Sequence, residues 1–448
     1  MKDKMKKLTT GWASRTFQTG RMAASLGGAA MKKVVNTALE RDGGTMDESA
    51  ALAAAEQLVA RMDNLKGLTM KMGQMVSYLD GSMPENAQRV LRKLQRGSKP
   101  LDEEVVRACV ERELGGSLGS LFDTFDLDPF AAASIGQVHR ATRGDEVLAV
   151  KVQYPDIART LEIDLGNLKR FAVFGTVGTA MSSNEMVEEL RARMAEECDY
   201  LQEAGFQGAF AALLDGRDDA GVPAVVADRC AEKILTTQFV EGVGFYEFAE
   251  GASQAERDAV GRIIFDVTFH TIFRHSMFNG DPHPGNYLLH PGEERVTFLD
   301  YGCVKVFDAD FVTRWKRLAL SVMDGRRRDF PDALVGVGFV DAGDRKFDYD
   351  YQWRVMHYLY KPFLERGFRY DNEYVKQSYD LMLWKNPNKL RTAMPSNWLL
   401  LNRLQWGLNS VLAHLKSQAN WGEIIRGHFE SPTIEGVRPA RLVVSSDV

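Results

Sequence analysis

The run Asp281-Pro282-His283-Pro284-Gly285-Asn286, followed by Asp300-Tyr301-Gly302, constrains this chain more than any other stretch. Two prolines and a glycine leave the loop few conformations. A carboxylate opens it and an amide closes it five positions later. Tyr287–His290 and Arg295–Leu299, across Pro291-Gly292-Glu293-Glu294, read as two short strands that return the chain and present Asp300 at their end. Carboxylate and amide oxygens are hard donors of the kind Mg²⁺ selects. A single aspartate usually does no more than cap a turn. Three such residues at these spacings point to a site.

Upstream, Ser134–Ala141 and Val147–Gln153 are apolar, β-branched runs separated by Thr142–Glu146, which predicts a hairpin. Lys151 lies in its second strand. Asp102–Glu113 reads as a short amphipathic helix closed by Gly115-Gly116. Glu185–Phe210 reads as one long helix with Val187, Leu190, Met194, Cys198 and Leu201 on a single stripe. It offers Glu197, Asp199 and Glu203 as carboxylate partners for Lys151. On the wheel Glu197 flanks the apolar stripe and Glu203 lies nearer the far side, so periodicity leaves the partner open. Val222–Val226 and Ile234–Val240 read as further strands, and helices dominate from Ala255 onward. Strands first and helices after predict an α+β, two-lobed architecture. Residues 1–100 read as a helical extension ending at the breaker Ser98-Lys99-Pro100, with residues 101–241 and 242–448 expected as the two lobes.

Composition narrows the function classes. Lys plus Arg is 56 and Asp plus Glu is 61, a net charge of −5 over 448 residues, which gives no support for nucleic-acid binding. Cys109, Cys198, Cys230 and Cys303 form no CxxC pair, so neither a disulfide framework nor a cysteine-based zinc site is expected, and reduced cysteines in a cytoplasmic protein are. The uncharged stretch Phe171–Met181 is well short of the ~20 residues a membrane span requires. The first 33 residues carry eight basic side chains and one acidic one. Two readings stand there: a helix touching an anionic membrane surface, or a packing helix with a frayed basic start.

Protein kinases use the same ordered set: a lysine in the strand motif, a catalytic-loop Asp, an Asn five residues later, and a metal-binding Asp-x-Gly after a hairpin. Where they carry a glycine-rich loop, this chain has Ala131-Ala132-Ala133-Ser134-Ile135-Gly136-Gln137. Small residues still let backbone N–H groups approach phosphates, but alanine visits positive φ less freely than glycine, so a stiffer loop is expected. Together with Lys71-Met72-Gly73-Gln74 and Glu197-Cys198-Asp199-Tyr200, these motifs resemble the UbiB/AarF family of atypical protein-kinase-like proteins, from about Leu65 to Asn420.

The resemblance implies a two-lobed kinase-like fold that binds ATP or ADP with Mg²⁺. It implies a KxGQ helix folded over the site, with Lys71 and Gln74 against Glu197 and Asp199, leaving Glu203 to pair with Lys151. Asp281 takes the catalytic-loop role, Asn286 and Asp300 hold magnesium, and Thr237–Val240, through Gln238 and Val240, line the adenine site. Eukaryotic members assist coenzyme Q biosynthesis. Two departures stand out: Asn279 where the family often has His, and Arg96 after Leu94-Gln95 where it often has an acid.

Two functions follow. One is an enzyme, an ATPase or a small-molecule or lipid phosphotransferase, with a protein substrate shut out by the implied lid. The other is a non-catalytic, nucleotide-gated scaffold for a membrane-associated complex. Phe347–Trp384 holds 12 of the chain's 44 aromatics, open to two readings: a surface for a flat lipid or quinone-like ligand, or helix packing.

Overall fold

Asp102 opens helix α1 (Glu103–Leu114) by accepting from the Glu104 N–H at 3.1 Å, and Gly115 ends it at φ 75°. The computed structural model describes residues 100–133, 135–163, 191, 194–384, 386–388, 391–392 and 396–443. The Lys71–Gln74 motif, Leu94–Arg96, the basic N-terminus and Ser134 lie outside these residues.

The predicted hairpin forms β3 (Gly136–Arg143) and β4 (Glu146–Gln153), paired antiparallel and joined tightly through Gly144 at φ 57°. Strands β1 (Thr124–Phe125) and β2 (Ala131–Ala132) add to β3, and β6 (Ile234–Gln238) adds to β4, giving a five-stranded antiparallel sheet. The period of two along β4 sends Leu148, Val150 and Val152 into the core at 0% exposure and leaves Lys151 on the other face. Val106 and Val110 of α1 close that core.

Helix α2 (Tyr200–Leu213) packs across the sheet. The single long helix expected over Glu185–Phe210 is interrupted: residues 194–197 are helical, the chain turns at Cys198, and Asp199 caps α2 by accepting from the Gln202 N–H at 3.1 Å. The end of β4 stabilises the break, because the Gln153 side chain donates to the Cys198 carbonyl at 3.0 Å. The helical wheel therefore does not run through the break, and Glu203 is 2% exposed rather than on the far side. Val222–Val226 is not a strand either; Val225 makes one isolated bridge to Thr237, and the short strand nearby is β5 (Ala220–Gly221).

A second sheet, β5-β10-β9-β7, is built around the expected hairpin, β9 (Tyr287–His290) and β10 (Arg295–Phe298), with β7 (Val243–Gly244) at its edge. The helical region follows, with α3 (Phe245–Gly251), α4 (Gln254–His275), α5 (Ala309–Met323), α6 (Ser396–Leu415) and α7 (Trp421–Glu430) among shorter helices. A capping box between Ser253 and Glu256 starts α4. Ile264, Phe265, Ile272, Leu318, Val322, Leu412 and Trp421 are fully buried there. The aromatic segment packs into this core: Phe347, Phe368, Tyr370, Tyr374 and Tyr379 are all buried. An apolar cavity of about 80 Å³ remains beside Met356 and Phe363, smaller than the ~150 Å³ that holds a benzene. No described helix is long and apolar enough to cross a membrane.

Candidate active site

A short antiparallel pair, β8 (Met277–Asn279) with β11 (Val304–Val306), gathers the two chemistry-bearing loops. Asp281 follows β8 after Gly280, and Asp300-Tyr301-Gly302 precedes β11. Asn279, opposite Val304 in this ladder, ties the loops together. Its side-chain amide donates to the Asp300 carbonyl at 2.6 Å, and its Oδ1 accepts the Asp281 N–H at 3.4 Å. The asparagine that stands where the resembled family often has His is, in the structure, the strut between the two aspartates.

The loop itself is rigid for the reasons its composition implies. The Asp281 carbonyl accepts from the His283 N–H at 2.7 Å and from the Asn286 side chain at 2.9 Å. His283 Nδ1 accepts the Gly285 N–H at 3.0 Å, so this ring nitrogen is unprotonated. With the Asn286 NH₂ spent on its own loop, the Asn286 Oδ1 is the atom left for a cation.

Lys151 reaches Glu203 with Nζ 2.8 Å from Oε1 and 3.1 Å from Oε2, and lies 3.6 Å from Asp300 Oδ2. Burial works to lower the lysine's pKa, but Asp300 and Glu203 outweigh it and hold the ammonium well above its usual range. Burial pushes the Glu203 carboxyl upward while Lys151 acts against it. The ammonium also sits 4.9 Å above the Tyr200 ring, a cation–π contact that sequence reading missed. Gly302 marks where the acids converge: a Cβ placed on it would lie 3.4 Å from Asp300 Oδ1, 3.6 Å from Glu203 Oε2 and 3.7 Å from Glu197 Cγ.

These residues line one cleft of about 470 Å³, within the range of small-ligand sites. Ala131, Ala132, Ala133, Lys151, Glu197, Glu203, Asp281, Asn286 and Asp300 all face it. Gly136, Gln238, Val240 and Asp199 stand outside its lining. Gly136 lies against Val152 and the Tyr200 hydroxyl. Gln238 pairs with Leu148 at the end of β6, and Val240 follows the strand. The carboxylate of Asp199 caps α2 and pairs with Arg441 at 2.9 Å. Gln137, read as part of the phosphate loop, points into the N-terminal core instead: its Oε1 accepts the Leu101 N–H at 3.0 Å and its amide meets His139 at 2.8 Å.

Among the described residues lining the cleft, Lys151 faces the acids Glu197, Glu203, Glu247, Asp281 and Asp300. A polyphosphate entering so acidic a cleft needs a cation beside it. The donors are hard oxygens, which fit Mg²⁺ rather than a thiophilic metal. Among the described residues, no group of three or more His, Cys, Asp or Glu is placed to hold a metal ion.

Comparison with known proteins places the chain in a family. The ABC1 atypical kinase-like domain matches residues 93–330. A probable serine/threonine-protein kinase, abkA of Dictyostelium discoideum, is 26% identical over 96% of this chain and 81% of its own length. The mitochondrial atypical kinase COQ8B of Rattus norvegicus is 26% identical over 88% of this chain and 73% of its own. A solved structure of Rv3197 from Mycobacterium tuberculosis in complex with erythromycin covers 85% of this chain and 97% of that one, with a TM-score of 0.63 and 26% identity. The fold is protein-kinase-like, and the chain belongs to the ABC1 atypical kinase-like, or UbiB, family.

Proposed function

We propose that this chain is a Mg²⁺-dependent ATP- or ADP-binding enzyme, an ATPase or a small-molecule or lipid phosphotransferase. The observation that carries the reading is the ion pair of Lys151 with Glu203, with Asp300 at 3.6 Å, in a cleft shared with Asp281 and Asn286. Glu203 orients Lys151, whose ammonium would meet the phosphates. Ala131–Ala133 offer backbone to the same groups. Asn286 and Asp300 would hold the magnesium, which neutralises phosphate charge when bound. Asp281 would position or deprotonate the attacking hydroxyl or water. The wider role that the family resemblance implies is support of quinone or lipid metabolism; separately, the eight basic side chains among the first 33 residues suit a peripheral contact with an anionic membrane surface.

The test is a thermal-shift titration with ATP and ADP, each with and without Mg²⁺, on the wild type and Asp300→Asn. Ligand at 100 times its Kd stabilises by about 2.7 kcal/mol, a visible shift. A Mg²⁺-dependent shift lost in Asp300→Asn is expected. No shift in folded wild type would overturn the reading. Asp281→Asn then separates enzyme from nucleotide-gated scaffold: it abolishes an enzyme's function and spares a scaffold's.

A further inference from the structure

The segment Ser431–Val443 after α7 contains neither helix nor strand, yet it is tied down at both ends. Its first half is seated on the helical lobe. Lys316 donates to the Ser431 carbonyl at 2.8 Å, the Ile434 N–H donates to the Arg274 carbonyl at 2.8 Å, and the Ser276 hydroxyl donates to the Ile434 carbonyl at 2.8 Å. Gly436 passes so close to β8 and β11 that a Cβ on it would lie 2.8 Å from the Ser276 carbonyl oxygen and 3.2 Å from that of Phe307.

The second half crosses to the outer face of α2. Gln202 donates to the Pro439 carbonyl at 3.2 Å, and the Leu442 N–H donates to the Leu201 carbonyl at 3.0 Å. The Ala440 carbonyl lies against Gly205, where a Cβ would sit 2.5 Å from it. Arg441 closes the crossing: its Nε meets Asp199 Oδ1 at 2.9 Å and Oδ2 at 3.1 Å, and its NH2 meets Glu232 at 3.4 Å. Asp199 is one helical turn from Glu203, whose N–H donates to the Asp199 carbonyl at 3.0 Å. Whatever moves the start of α2 therefore moves the partner of Lys151.

We propose that Ser431–Val443 is a strap that sets the position of Glu203 from behind, with Arg441 as a positioning residue acting through Asp199. Only its consequence for nucleotide binding rests on the proposed function; the restraint on α2 does not. The experiment uses the full chain as wild type, Arg441→Ala, Arg441→Lys and Gly205→Gln. It reads hydrogen exchange over residues 200–213 without nucleotide and Mg²⁺-ATP affinity by calorimetry.

Arg441→Ala is expected to speed exchange in α2 roughly three- to fivefold, the scale of a solvent-facing charge pair, and to weaken Mg²⁺-ATP by a similar factor. Arg441→Lys should restore most of both. Gly205→Gln should also speed exchange by displacing the strap, whereas helix propensity alone would slow it. Unchanged exchange in Arg441→Ala, or slower exchange in Gly205→Gln, overturns the strap. If the wild type binds no nucleotide, the proposed function falls and the exchange data still decide the strap.

Discussion

Lys151 Nζ lies 2.8 Å from Glu203 Oε1, although the two residues are 52 positions apart and on different elements. The contact exists because β4 turns Lys151 away from its core and Asp199 restarts the helix so that Glu203 faces the sheet. Removing one partner leaves a charge in a partly closed site.

Glu203→Gln therefore costs about 3 kcal/mol of stability, at the lower end for a broken buried pair. It also weakens Mg²⁺-ATP by roughly 10- to 100-fold, the scale of a charge-assisted hydrogen bond. Urea denaturation and calorimetry read the two effects. Wild-type affinity in Glu203→Gln would remove Glu203 from the nucleotide site.

Asn279→Ala cuts the link between the two aspartate loops. A loss of about 1–2 kcal/mol is expected from the strut that donates to Asp300. Turnover should fall more than nucleotide affinity, because the phosphate-facing lysine is untouched while Asp281 and Asp300 lose their common support. Equal losses in both would show that the strut supports only the fold.

Tyr200 separates ring from hydroxyl. Among the described residues its buried hydroxyl has no hydrogen-bond partner, while its ring underlies the Lys151 ammonium. Tyr200→Phe should be neutral or stabilising by up to about 1 kcal/mol, with nucleotide affinity kept. Tyr200→Ala should cost about 3–5 kcal/mol by opening a cavity under the lysine. A Tyr200→Phe variant as damaged as Tyr200→Ala would refute this division.

His270 makes the helical lobe sensitive to acid. Burial, then the charges of His275, His428 and Arg274, lower its pKa to about 4, with Asp266 acting weakly in the opposite sense. A histidine whose folded pKa is depressed is protonated first in the unfolded chain. Its contribution is complete above the ordinary value near 6.5 and is lost as pH falls from about 6.5 to about 4. His270→Gln should reduce the slope of the urea midpoint between pH 7 and pH 5, leaving the contributions of His139, His275 and His290, which burial also lowers, and the opposing one of Glu203, which burial raises. A variant whose pH dependence matches the wild type would exclude His270 as the source.

Much was legible in the sequence because its signals are local. Proline and glycine restrict the Asp281–Asn286 loop within a few bonds, and two apolar, β-branched runs across a turn write the β3–β4 hairpin directly into the chain. The ordered spacing of lysine, aspartate, asparagine and aspartate sufficed to place the chain among kinase-like proteins. The partner of Lys151 was not legible from periodicity. A helical wheel assumes an unbroken helix, and the break at Cys198-Asp199 is held by Gln153, a side chain 45 positions away. Gln137 misled for a similar reason: its neighbours are small loop residues, but its hydrogen-bond partners, Leu101 and His139, lie in the core. Asn279 as strut and Arg441 as clasp depend on pairings between segments distant in the chain, the latter across 242 positions. Local backbone chemistry determined which residues could do chemistry here. Which of them meet was decided by tertiary packing, because a buried or partly buried charge settles on whichever opposite charge the fold brings within reach.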